Sequence, residues 1–160
     1  MDQDALEEQI LLAWRTNARM NEAVIEAVSD AGLGCTLSKR GGRGAGGELA
    51  HMHTNRVWQL QKRAPDLAEG LVIYDAKWEP VRAELLASHR ASADAVERLL
   101  IGQLRGEPRR RGFKRGVLTT LCYFVSHESH HRGRILLTLK VSGETLDKTA
   151  TYRLWDWDRT

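Results

Sequence analysis

The sequence predicts an all-α fold, a four-helix bundle with a short aromatic C-terminal tail packed on it. Four long segments carry apolar residues at helical spacing, and none shows the alternating pattern of a half-buried strand. Hydrophobic residues make up 42% of the 160 residues and prolines number only three, which fits a folded chain and excludes wholesale disorder. This length suits one domain, residues 1–160, that buries a core without disulfides.

Helix one is predicted over residues 4–30. Acidic residues gather in its first turns, where the helix dipole favours them. Its apolar stripe comprises Leu6, Ile10, Ala13, Trp14, Val24 and Val28. Asn17 and Asn21 continue this inward stripe. Because a buried amide costs free energy unless it finds hydrogen-bond partners, we expect these two side chains to face a polar interior site.

A glycine-rich loop over residues 32–47 separates this helix from helix two, which runs from Glu48 to Arg63 and stops before Pro65. Three glycines of the loop formally satisfy G-x-G-x-x-G, namely Gly42, Gly44 and Gly47. A dinucleotide-binding turn requires a strand before this motif. Since the pattern predicts no strand there, we assign no nucleotide site to it.

Helix three is predicted from Lys77 to Ile101, after a loop with an extended piece at 67–75, and helix four from Gly116 to Val141. Gly143 is expected to end the last helix. The C-terminal segment TYRLWDWDRT is unusually aromatic for a tail. We therefore expect it to pack on the bundle or on a second subunit, and a homodimer is predicted.

The charge pattern favours a solvated surface over a nucleic-acid interface. The formal charge is +3, and much of the excess lies in a basic loop over Arg105–Arg115. No aromatic interleaving or groove-reading motif accompanies this loop, so no nucleic-acid partner is predicted. No run approaches the roughly 18 apolar residues of a membrane span, and the acidic N-terminus is unlike a signal peptide. We expect a cytoplasmic protein with no membrane partner, in which Cys35 and Cys122 are reduced thiols.

Two histidines of the HESHHR segment carry the strongest chemical signal. His127 and His131 stand at i and i+4, so they lie one above the other on one face of helix four. Their stripe continues through Phe124 and Ile135, which directs both imidazoles toward the bundle interior. Burying adjacent imidazoles is costly unless both nitrogens of each ring are satisfied, and a divalent metal ion satisfies them.

A third metal ligand is expected from helix two. His51 shares its face with Asn55 and Trp58, whereas His53 lies on the apolar stripe, and periodicity alone leaves both histidines open. Three protein ligands leave a coordination position for water or substrate, as catalytic sites do. Two further histidines are not predicted to be ligands, His89 and His130.

Residues 127–131 also match H-E-x-x-H, the helix of zinc metalloproteases, in which Glu128 is the general base. The extended metzincin form is absent, because its glycine position is Arg134 and its third-histidine position is Leu137. No sheet edge that would hold a peptide substrate is predicted either. A small zinc metalloprotease is therefore kept as the lesser alternative.

Short motifs in three helices resemble those of the DinB/YfiT-like family of metal-binding helical bundles. The family form G-E-L-L-x-H-h is matched, one residue shorter, by Gly47, Glu48, Leu49, Ala50, His51 and Met52. The form H-x-x-x-H-R-G-Q is matched by His127, His131, Arg132 and Gly133, with Arg134 in place of the glutamine. A W-x-x-N pattern is present as Trp14 and Asn17. The resemblance covers roughly residues 4–141 and favours His51 over His53.

The resemblance implies a metal-dependent enzyme with a three-histidine site. Its metal ligands would be His51, His127 and His131, and its pocket would be lined by Trp14, Asn17, Asn55 and Trp58. The cofactor is expected to be a divalent ion, zinc or nickel. A low-molecular-weight thiol such as bacillithiol or mycothiol is the expected co-substrate, in S-transfer or hydrolase-like chemistry on a small molecule. The alternative is a non-catalytic dimeric bundle in which the site is vestigial or structural.

Overall fold

The structure, a computed structural model, describes residues 3–40, 42–75 and 78–158. Within these residues it contains no strand, and its helices are α1 (Gln3–Ala27), α2 (Asp30–Gly34), α3 (Ala45–Arg63), α4 (Arg82–Leu104), α5 (Val117–Val141) and α6 (Lys148–Arg153). A 3-10 turn at Pro65–Ala68 follows α3. The predicted all-α class is confirmed, with α1, α3, α4 and α5 as the four long helices. None of the helices described is both long and apolar enough to cross a membrane.

The connection between α1 and α3 is more ordered than the sequence predicted. Helix α1 ends at Ala27, and the Ser29 side chain caps the short helix α2 by accepting a hydrogen bond from the Gly32 amide at 2.8 Å. Helix α3 begins at Ala45, earlier than the predicted Glu48. A Cβ at Gly44 would lie 2.7 Å from the Cys35 carbonyl oxygen, so glycine permits the loop to close against α2 at this point.

The third long helix starts later than predicted. It begins at Arg82 because Pro80 lacks a backbone N–H and restricts the residue before it, so residues around 80 cannot continue a helical ladder. The predicted start, Lys77, lies outside the described residues. The extended piece expected at 67–75 forms no strand; the 3-10 turn leads into irregular backbone there.

The C-terminal tail packs on the bundle, as predicted, but not through its aromatic rings. Leu154 is buried, and Arg19 of α1 donates a hydrogen bond to the Asp156 carbonyl oxygen at 2.9 Å. The side chains of Tyr152 and Trp155 remain 67% and 76% exposed. Burial of the aromatic rings in a homodimer remains a prediction.

The bundle core is divided by a polar layer. Helix α1 packs on α4 and α5, and α3 packs on the same two helices. One apolar half surrounds Trp14 and Phe124, and the other surrounds Val24 and Ile135. Buried polar side chains lie at the sequence positions between these halves: Asn17, Asn21, Arg56, His89, Ser92, Glu128 and Arg132.

Glu128 is the centre of this polar layer. Arg56 contacts its carboxylate at 2.6 Å, and both side chains are almost completely buried. Asn17 and Asn21 donate to Glu128 Oε2 at 2.5 and 2.6 Å. Their amide oxygens accept hydrogen bonds from Arg132 Nη1 at 2.8 and 2.6 Å. The two asparagines therefore face a polar interior, as their place on the inward stripe predicts.

Candidate metal centre

Three histidines from two helices converge on one point. His51 lies on α3, and His127 and His131 lie on successive turns of α5; their ligand atoms are all within 4.8 Å of one another. The Nε2 atoms of His127 and His131 are 3.1 Å apart. Two nitrogens bound to one tetrahedral zinc at the usual bond length are separated by about 3.3 Å. The spacing of these nitrogens therefore fits a shared divalent ion.

The Glu48 carboxylate contacts the nitrogen of His131 that faces away from His127. The His131 Nδ1 atom lies 2.5 Å from Glu48 Oε2, so this nitrogen donates its proton to the carboxylate, and the Nε2 atom on the other side of the ring faces His127. The second carboxylate oxygen of Glu48 lies 3.0 Å from the Arg134 guanidinium. Arg134, which replaces the glutamine of the family motif, is thus connected to His131 through Glu48. Glu48 is not among the site residues predicted from the sequence, although it precedes His51 by about one helical turn.

His127 is positioned by a second polar chain. Its Nδ1 atom lies 3.4 Å from the Asn55 side-chain amide, and the Tyr123 hydroxyl donates to the Asn55 oxygen at 3.1 Å. The Tyr123 ring also stacks on the His127 ring, with centroids 5.9 Å apart. These contacts fix the ring orientation of His127 before any ligand binds.

Two imidazoles of the cluster, those of His51 and His127, are held neutral. Burial, reinforced by the Arg43 charge and the neighbouring histidines, lowers the pKa of His51 to about 4. Burial and the His131 charge lower the pKa of His127 to about 4 as well. Burial acts to raise the pKa of Glu48, but its hydrogen bond to His131 and the nearby positive charges outweigh burial and hold that pKa below its ordinary value. Near neutral pH His51 and His127 therefore present neutral nitrogens, the protonation state that metal binding requires.

The remaining histidines point elsewhere. His53, which periodicity left as a candidate ligand, is buried and its Nε2 atom lies 2.6 Å from the Val72 carbonyl oxygen. His89 Nε2 lies 2.8 Å from the Leu49 carbonyl oxygen. His130 is exposed beside the cluster. Only His51 of the helix α3 pair therefore joins His127 and His131.

Glu128 cannot serve as the general base of a protease. Although it belongs to the H-E-x-x-H segment, its side chain is directed into the polar layer, where it is paired with Arg56. Burial acts to raise its pKa, but the Arg56 charge and hydrogen bonds outweigh burial and lower it, so the carboxylate is a poor proton acceptor. The geometry that the protease alternative requires is absent from the described residues.

A cavity of about 500 Å³ adjoins the cluster on the His51 side. Its walls come from the end of α2, the glycine-rich loop, α3 and the segment after the 3-10 turn. Of the four predicted pocket residues, Trp58 lines this cavity. Asn55 instead supports His127 from the bundle side.

The other two predicted pocket residues do not line this cavity. Trp14 is buried in the apolar core and donates its indole N–H to the Ala93 carbonyl oxygen at 3.0 Å. Asn17 lies in the polar layer against Glu128. Both residues continue the inward face of α1, which packs on α4 and α5, so this face meets the core instead of the cavity.

The basic loop before α5 is partly neutralised by acidic neighbours. Arg110 contacts Asp66 at 2.8 Å and Glu107 at 3.5 Å, and Arg105 lies 3.8 Å from Glu7. Contacts of this kind tie the loop to the bundle surface.

The fold and the site define the class of protein: a helical bundle whose α3 and α5 carry a three-histidine cluster with metal-ligand spacing. The model of the DinB family matches residues 1–159, and the chain belongs to that family. No curated protein and no solved structure matches the chain in the corresponding comparisons.

Replacing Glu48 with glutamine should weaken metal binding by roughly ten- to a hundredfold, the usual effect of removing an outer carboxylate. The amide keeps the size of the side chain but loses the charge that accepts from His131 Nδ1. Competition with a chromophoric chelator measures the affinity. Glu69→Gln, an exposed site distant in sequence, is the control, and equal affinities in Glu48→Gln and this control would contradict the assigned contact.

Proposed function

We propose that this chain is a divalent-metal-dependent enzyme in which His51, His127 and His131 hold the ion. The observation that carries the proposal is the convergence of three histidine ligand atoms within 4.8 Å, with Glu48 behind one of them. Structural zinc sites are closed by four protein ligands, whereas three leave room for a reacting group. Three imidazole nitrogens suit zinc or nickel, and we propose one of these as the cofactor.

The proposed reaction is S-transfer from a low-molecular-weight thiol to a small electrophile, with hydrolysis as the related reaction of water. A bound divalent ion supplies Lewis acidity, which lowers the pKa of a thiol or a water to near neutrality. In S-transfer the thiol sulfur forms a bond to the electrophilic carbon, the bond to the leaving group breaks, and the thiol proton passes to solvent. The family resemblance supports this class of reaction, and the cavity beside His51 gives a small substrate access to the site.

The chain's own residues prepare the site for this chemistry. Glu48 orients His131, and Asn55 with Tyr123 orients His127, so the two rings already lie beside each other and need little rotation. The aromatic ring of Trp58 stands at the edge of the His51 ring, with centroids 6.2 Å apart, and lines the cavity beside it.

Metal analysis of the purified protein tests the proposal. We expect His127→Ala and His131→Ala each to lose most of the bound metal, because each removes one of the three proposed protein ligands. His130→Ala is the matched control, since it removes an exposed histidine from the same segment. Equal metal content in the wild type and all three variants would show that His127 and His131 are not metal ligands.

A conjugation assay tests the reaction itself. Metal-loaded protein is incubated with bacillithiol, mycothiol or glutathione and monochlorobimane, whose chloride leaves as the carbon–sulfur bond forms. We expect a rate that depends on both the metal and the thiol. Metal binding without any conjugation or hydrolysis would favour the second candidate, a non-catalytic bundle that self-associates. The exposed rings of Tyr152 and Trp155 are the observation that favours this candidate.

A further inference from the structure

We propose that the cavity beside His51 binds a small aromatic acid and that Arg43 recognises its carboxylate. The inference deepens the proposed function and rests on it, because it assigns a substrate class to the same site. It starts from the glycine-rich loop, whose G-x-G-x-x-G pattern had no assigned role: Gly42, Gly44 and Gly47 all line the cavity.

The loop places one cation at the cavity wall. Arg43 lines the cavity, and its charge reaches both His51 and Glu48. Among the described residues, no hydrogen bond or ion pair occupies its guanidinium. The other charged lining residue, Asp75, already has an interaction partner. Arg43 is therefore a charged group of this cavity whose hydrogen-bonding capacity is open to a ligand.

The chemistry of a guanidinium selects the ligand group. Its planar fork of N–H donors matches a carboxylate, which it can hold through two parallel hydrogen bonds. Glu48 and Asp75 add negative charge around the cavity, which disfavours a dianion such as a phosphate monoester more than a monoanion. A single carboxylate is thus the better match.

The aromatic residues that line the cavity indicate what the rest of the ligand should be. Trp58 stands against the His51 ring, and it is 42% exposed although it is a large aromatic residue. Two further lining residues, Tyr74 and Trp78, stack their rings on each other with centroids 3.9 Å apart. The polar atoms of this pair are used elsewhere, since the Trp78 indole donates to Glu84 at 3.0 Å and the Tyr74 hydroxyl contacts Ser88. Flat aromatic walls of this kind favour a planar, apolar ring.

Titration with three probes tests the assignment, with amide chemical shifts as the readout on both metal-free and zinc-loaded protein. Benzoate carries the ring and the charge, benzyl alcohol carries the ring alone, and acetate carries the charge alone. We expect benzoate to bind more tightly than either. Arg43→Gln should weaken benzoate binding about fivefold, the value of a partly exposed ion pair, and leave benzyl alcohol binding unchanged. Arg43→Lys should recover part of the loss.

Arg40→Gln is the matched control, because it removes the same charge from an exposed position of the same loop that does not line the cavity. Equal benzoate affinities in Arg43→Gln and Arg40→Gln would overturn the proposal, and so would acetate binding as tight as that of benzoate. Benzoate that binds only to zinc-loaded protein, with no dependence on Arg43, would place the carboxylate on the metal and would also overturn it. If the protein proves unable to bind zinc but still binds benzoate in an Arg43-dependent way, this subsite is supported and the proposed metal-dependent function is contradicted.

Discussion

Replacing Arg56 with methionine should lower the free energy of unfolding by about 3–5 kcal/mol, the cost of leaving a buried charge without its partner. Arg56 and Glu128 are almost completely buried and lie 2.6 Å apart. Arg56 also donates to the His89 carbonyl oxygen at 2.9 Å and lies over the Trp14 ring, so it connects α3 to the three other long helices. Methionine fills part of the volume but leaves Glu128 charged in a layer that excludes water.

Urea unfolding measures this loss, and two further variants separate its causes. Arg90→Met breaks a surface ion pair with Glu22 and should cost at most about 1 kcal/mol. The double variant Arg56→Met/Glu128→Leu removes both charges and should recover part of the stability that the single variant loses. A loss in Arg56→Met no larger than that in Arg90→Met would show that the polar layer does not stabilise the bundle.

Acidification should destabilise the metal-free protein well before its carboxylates titrate. His89 is fully buried beside the Arg56 charge, and burial followed by this charge lowers its pKa from 6.5 to about 3. Below pH 6.5 His89 is protonated in the unfolded chain but stays neutral in the folded chain. The free energy of unfolding therefore decreases as the pH falls toward about 3. At pH 4 this single group accounts for roughly 3 kcal/mol of lost stability.

The variant His89→Gln isolates the effect. The glutamine amide can still donate to the Leu49 carbonyl oxygen, as His89 Nε2 does at 2.8 Å, but it does not titrate. Its free energy of unfolding should therefore fall less steeply than that of the wild type between pH 6.5 and about 4, whereas the exposed-site control His130→Gln should keep the wild-type slope. Parallel pH profiles for the wild type and His89→Gln would contradict a neutral, buried His89.

Residue spacing along the helix predicts part of the three-histidine cluster but not all of it. The i, i+4 spacing of His127 and His131 places both rings on one face of α5 whatever surrounds the helix, because this follows from helix geometry alone. The choice between His51 and His53 could not be made from spacing, since both lie on faces of α3 that carry large side chains. Packing decides it: His53 is directed to the Val72 carbonyl oxygen, in irregular backbone whose path local rules do not predict.

Glu128 shows the limit of a motif. The sequence H-E-x-x-H matches a protease helix, yet a residue next to His127 is rotated by roughly 100° around the helix and faces a different neighbour. That neighbour is the polar layer, where Asn17, Asn21 and Arg56 from two other helices surround the carboxylate. The H-E-x-x-H segment therefore contributes Glu128 to a buried ion pair on one face of α5, and His127 and His131 to the histidine cluster on another face.

Periodicity and residue chemistry in the sequence were sufficient for the helical class, the four long helices and the inward histidine pair, because these depend on residues within a few turns of one another. Contacts between distant segments decided the rest: the support of His131 by Glu48, the burial of Trp14 and Asn17, and the cavity at the glycine-rich loop. Such contacts depend on how helices rotate and pack against one another. That arrangement is set by the free energy of the whole core.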